Sequence, residues 1–154
     1  TLLTSSAASD VYKRQVASSA PVAAAAAASE QARSAYSSAY QRLKQNDLGA
    51  AKTEFVAFVK TYPESDEVPN AYFWLGELYY VESDLENSRQ AFTNLADGYP
   101  DHRKVPDAKF KLGKIYHQLG QNDKAKALLE SVLTDYPNSK AANPASEYLK
   151  NSLR

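Results

Sequence analysis

The chain of 154 residues has no cysteine, no methionine, only five glycines and no excess of charge, since 18 Lys and Arg stand against 18 Asp and Glu. Without cysteine there is neither a disulfide framework nor a thiolate metal site, so stability has to come from packing. Without net charge or a long basic run, the counterion release that drives non-specific nucleic-acid binding has little to act through, and an anionic lipid surface finds little to hold. Nucleic acid is therefore not expected as a partner, nor is direct membrane insertion. No phosphate loop, nucleophile elbow or dinucleotide fingerprint occurs, and no cofactor is expected. A reading frame that begins at Thr1 and lacks methionine is expected to be a piece of a longer protein.

What is present changes along the chain. Residues 1–29 are mostly Ala, Ser, Thr and Val, with Pro21, six consecutive alanines from Ala23 to Ala28, and Tyr12 as the single aromatic. Such a stretch buries too little apolar surface to offset the roughly 1–2 kcal/mol per residue that backbone ordering costs. It reads as a disordered linker. Residues 1–15 match nothing that follows, as a non-native scar would. A signal peptide is the weaker reading, because Ser18, Ser19 and Pro21 interrupt the apolar run. Residues 30–154 are the expected folded domain.

In that domain Tyr62-Pro63, Tyr99-Pro100 and Tyr136-Pro137 recur every 37 residues. The rest of the register follows: Leu75-Gly76 pairs with Leu112-Gly113, Phe73 with Phe110, Tyr79 with Tyr116, and Phe55 with Phe92. Ala39 falls where Gly76 and Gly113 fall, and Ala51, Ser88 and Ala125 share a second small-residue position. The spacing predicts three copies of one unit, near 30–66, 67–103 and 104–140, followed by a capping helix over 141–153. Each copy reads as two helices, placed at 30–45 and 49–62, 68–82 and 85–98, and 105–119 and 123–136. Pro69 and Pro106 suit a first turn, and the Tyr-Pro pairs end each second helix. The fold class expected is all-α, a solenoid of helix-turn-helix repeats. Small residues at facing positions let the two helices of a unit approach closely, which offsets the cost of about 1 kcal/mol for glycine inside a helix. Lys150 stands where the glycine column would continue, giving the last helix the polar face of a cap.

Leu-Gly-x-x-Tyr, then a small residue and an aromatic four apart, then proline resembles the tetratricopeptide repeat. The second copy carries it as Leu75, Gly76, Tyr79, Ser88, Phe92 and Pro100. The period is 37 and not 34, Trp74 sits directly before Leu-Gly, and Leu129 replaces the aromatic in the third copy. With Tyr-Pro-x-Ser endings and the string Asn70-Ala71-Tyr72-Phe73-Trp74-Leu75-Gly76-Glu77, residues 34–153 resemble the C-terminal repeat domain of the Tol-Pal-associated cell division coordinators of the Gram-negative periplasm. The resemblance implies a scaffold and not an enzyme. It implies TolA and a peptidoglycan synthase complex as protein partners, in septal wall synthesis coordinated with outer-membrane constriction. It also implies a trimerising coiled coil upstream of the Ala/Ser-rich linker, without which this piece would be monomeric. A repeat lipoprotein of outer-membrane protein assembly is the alternative, since such proteins share the Tyr-Pro-x-Ser ending.

Stacked helix pairs twist into a superhelix whose inner wall is built from the first helix of every pair. In this register the wall is expected to hold Arg33, Tyr36, Tyr40, Leu43 and Lys44, then Asn70, Phe73, Glu77, Tyr80 and Val81, then Asp107, Phe110, Lys114, His117 and Gln118. Rigid aromatics with polar handles anchor partner segments well. Glu77 and Lys114 occupy equivalent positions with opposite sign, which suggests a groove of mixed charge. His117 is expected in the groove or on the surface, and His102 in an exposed loop, neither with metal-ligand spacing. The acidic run at Glu64, Asp66 and Glu67 precedes a helix start, where carboxylates complement the helix dipole, and no residue is expected to be catalytic.

Overall fold

The structure is a computed structural model describing residues 5–153, with side chains described from Pro21 onward. Among the described residues seven helices follow one another: α1 (Ser5–Lys44), α2 (Leu48–Thr61), α3 (Val68–Val81), α4 (Leu85–Gly98), α5 (Val105–Gln118), α6 (Asn122–Asp135) and α7 (Ala142–Ser152). Each packs on its neighbour in sequence, in the pairs α1/α2, α3/α4 and α5/α6, with α7 laid on α6. All helices but the first lie within two residues of their expected bounds.

The exception is the start of α1, expected near residue 30 and found at Ser5. Alanine is the best helix former, so the run from Ala23 to Ala28 extends the helix outward from the packed domain with no burial to demand it. Among the residues whose side chains are described, every one from Pro21 to Gln31 is exposed and Ala32 is the first buried one. The reading of residues 1–15 as a scar falls partly outside the described residues.

One turn is repeated inside each pair. Asn46 (φ 61°), Ser83 (φ 63°) and Gly120 (φ 74°) share one register position and adopt the left-handed conformation. The next residue, Asp47 or Asp84, caps the second helix by accepting from Ala50 N or Asn87 N at 3.2 Å. Gln121 takes that place in the third pair without a side-chain cap.

Between pairs, the Tyr-Pro-x-Ser ending is a β-turn. Tyr62, Tyr99 and Tyr136 donate their N–H to the last helical carbonyls of Phe58, Leu95 and Val132. Their own carbonyls accept from Ser65, His102 and Ser139, three residues on, at 2.9–3.0 Å. Proline at the second turn position has the φ this requires and no N–H left unpaired. A second turn follows at once, with Val68, Val105 and Ala142 donating to the carbonyls of Ser65, His102 and Ser139.

Within a pair the glycines are close-approach positions. A Cβ built on Gly76 would lie 2.6 Å from the ring of Phe92, and one on Gly113 2.6 Å from Leu129 Cγ. Sequence reasoning set Ser88 against Gly76, and Ser88 Oγ indeed donates to the Gly76 carbonyl at 2.8 Å, fully buried. The closest contact, however, is the aromatic position one turn further along α4. Phe55, Phe92 and Leu129 are all completely buried at this position.

Candidate functional site

The first helices meet side chain to side chain along one wall. Ser37, Trp74, Lys111 and Tyr148 share the register position directly before the Leu-Gly column, and the last three reach back to the preceding first helix. Trp74 on α3 donates its Nε1–H to Tyr36 OH on α1 at 3.2 Å and lies 5.6 Å from the Tyr40 ring. Lys111 on α5 reaches both carboxylate oxygens of Glu77 on α3 at 2.9 Å and sits 5.6 Å above the Tyr80 ring. Tyr148 on α7 packs edge-on against Phe110 and His117 of α5, with its hydroxyl 2.8 Å from His117 Nδ1. Gln118 adds a bond from Nε2 to Tyr80 OH at 2.8 Å. None of these three reaching residues is among the wall residues expected from the sequence, where Trp74 stands as a departure from the repeat pattern and as part of the string that carries the resemblance. The 37-residue register was the signal that could have found them.

The expected wall residues divide by burial. Tyr40 and Tyr80 are half-buried, each with a lysine over its ring: Lys44 at 5.6 Å for Tyr40, Lys111 and Lys114 at 5.6 and 5.5 Å for Tyr80. Tyr36 joins wall and core, stacked on Tyr40 while meeting Phe55 and Phe58 at 5.7 Å, and burial pushes its hydroxyl above the ordinary phenol range. Desolvation does the same to Tyr148.

Phe73 is a correction. It is 8% exposed, wedged edge-on against Trp74 and Phe92 with Lys104 4.3 Å above its ring, so it belongs to the core between α3 and α4 and has little face to offer. Leu43 likewise packs against the core around α2. Phe110 and His117 are partly covered by Tyr148, because α7 takes the place of a next first helix. The expected mixed charge is also revised: Glu77 is paired with Lys111, whereas Lys114 lies over the rings of Tyr80 and Phe110.

His102 is half-buried in the α4–α5 connection, where its Nδ1 accepts the N–H of Lys104 at 3.3 Å. Ser65 Oγ makes the equivalent bond to Glu67 N one repeat earlier. Desolvation, then Arg103 and Lys104, lower the His102 pKa. The loop acids Glu64 and Asp66 line an open cleft of about 530 Å³ with His102 and Asp101. Among the described residues no group of three His, Cys, Asp or Glu gathers as a metal site would need, and no helix is long and apolar enough to cross a membrane.

What these contacts make is an elongated face of aromatic rings and ammonium groups on stacked first helices, suited to holding a polypeptide segment. The cell division coordinator CpoB of Pseudomonas putida strain KT2440 and the protein of that name from Pseudomonas putida are each 39% identical to the chain over 51 residues. That match covers 33% of this chain and 19% of each relative, so the chain matches about a fifth of their length. Two family models described as tetratricopeptide repeats match residues 36–103 and 107–139, which together span the three helix pairs seen in the structure. With its repeat register, its helix pairs and both matches in agreement, the chain belongs to the tetratricopeptide-repeat family.

Proposed function

We propose that the chain is a non-enzymatic interaction scaffold of the Gram-negative periplasm, acting in cell division by holding a segment of TolA along the wall formed by α1, α3 and α5. The observation that carries this reading is the contacting trio of half-buried Tyr36, Tyr40 and Trp74, with half-buried Tyr80 further along α3, whose rings are held by neighbours before any partner arrives. Rings held in place lose little entropy on binding, so they make efficient anchors. The similarity to CpoB supports the cell-division role, and the resemblance noted in the sequence supports TolA and the septal peptidoglycan synthase complex as partners. Residues 16–29 then act as a spacer between the repeats and an upstream oligomerising segment.

Calorimetry with the periplasmic domain of TolA tests the reading. Tyr40→Ala and Tyr80→Ala are expected to weaken binding by about 1–3 kcal/mol each with helical content unchanged. Wild-type affinity in both folded variants would contradict it.

A further inference from the structure

The wall has an uneven distribution of charge. Lys111 is paired with Glu77. Lys44, Lys104 and Lys114 instead lie over aromatic rings of the wall, at 5.6 Å from Tyr40, 6.0 Å from Trp74 and 5.5 Å from Tyr80. None of the three has a carboxylate within ion-pair distance among the described residues. Of the other acids on this side, Glu67 accepts from Asn70 Nδ2 at 2.8 Å and Asp107 belongs to the first turn of α5. A chain with zero formal net charge thus sets three lysines without an ion-pair partner on this side, against the two carboxylates Glu67 and Asp107 that also lack one among the described residues.

An ammonium over a ring is held near the ring centroid but keeps N–H donors free for an incoming acceptor. Rings bearing unmatched cations along a wall of stacked helices therefore fit an extended acidic polypeptide: its carboxylates supply the missing counterions and its apolar side chains lie on Tyr40, Trp74 and Tyr80. We infer that the segment taken by this wall is acidic. The inference rests on the wall being the binding face, and adds the chemistry of what binds.

Trp74 is the single tryptophan and stands on the wall, so its emission reports occupancy directly. The experiment titrates the full chain with three unstructured peptides of equal length, one Glu-rich, one with Gln for every Glu and one with Lys, and with the TolA periplasmic domain in parallel. The Glu peptide is expected to shift Trp74 emission, with an affinity that falls as salt rises, and the Lys and Gln peptides to bind at least about tenfold more weakly. Reversing the charge in Lys104→Glu/Lys114→Glu, with helicity checked by circular dichroism, is expected to abolish the preference for Glu over Lys. Equal binding of all three peptides, or a preference unchanged by the reversal, overturns the acidic assignment. If TolA alone shifts the emission, the acidic assignment also fails while the wall remains the binding face. If neither TolA nor any peptide shifts it, both fail.

Discussion

His102 stands where Ser65 stands one repeat earlier, and its Nδ1 accepts a backbone N–H as the hydroxyl does. A protonated imidazole has no acceptor, and desolvation with Arg103 and Lys104 nearby holds the folded pKa below 6.5. The unfolded chain therefore binds the proton first. The stabilising contribution is complete above the ordinary imidazole value and is lost as pH falls through that value toward the lower folded one. Melting curves from about pH 7 to about pH 5 should show wild type losing more stability than His102→Ser, whereas parallel pH profiles would exclude the effect. Gly76 makes a steric prediction. A methyl group there meets the buried Phe92 ring at 2.6 Å. Overpacking of about 1–3 kcal/mol exceeds the gain of about 1 kcal/mol from helix propensity, so Gly76→Ala should lower the melting temperature. An unchanged or higher value would mean that the pair can open to admit it, as the fully buried Ala39 of the first repeat suggests is feasible.

At the scale of the element, the turn inside each pair asks for a left-handed residue, and the three repeats answer with Asn46, Ser83 and Gly120. Ser83 is the least suited of these, because a Cβ in that conformation costs about 1–2 kcal/mol and serine lacks the local side-chain hydrogen bonding by which asparagine tolerates it. Glycine relieves that strain but gains unfolded-state entropy, which offsets part of the benefit, so Ser83→Gly is expected to stabilise by about 0.5–1 kcal/mol, read from chemical denaturation. A destabilised variant would show that Ser83 is held there by something beyond its backbone. The helix pairs were legible in the sequence because proline, the Leu-Gly column and the small positions are each tied to a local requirement that repeats. The left-handed position was not, since three different residues fill it and only the shared register reveals them. Nor was the N-terminal reach of α1, because helix propensity in an alanine run acts without the burial that composition measures. On the wall, Tyr40 and Tyr80 were legible as half-exposed rings, while Phe73 was not legible as core: its burial depends on Phe92 and Lys104, which lie on other segments of the chain.

Across the whole molecule, polarity marks the two ends of the stack. Val68, Ala71, Leu75 and Leu78 of α3, like Val105, Ala108, Leu112 and Ile115 of α5, are buried. The same register in α1 reads Gln31, Ser34, Ser38 and Gln41, all exposed. At the other end Glu147 and Lys150 of α7 are exposed where Phe110 and Gly113 stand in α5. Apolar surface is thus used for stacking, and the wall of first helices is left as the extended aromatic face. The most direct test of that claim is tyrosine and tryptophan ring NMR of the chain with and without the periplasmic domain of TolA. Tyr62, Tyr99 and Tyr136 at the ends of the second helices provide an internal comparison with Trp74, Tyr40 and Tyr80 on the wall. Shifts concentrated at Trp74, Tyr40 and Tyr80, with Tyr62, Tyr99 and Tyr136 unmoved, are the expected result; shifts at the second-helix tyrosines with a silent Trp74 would contradict it.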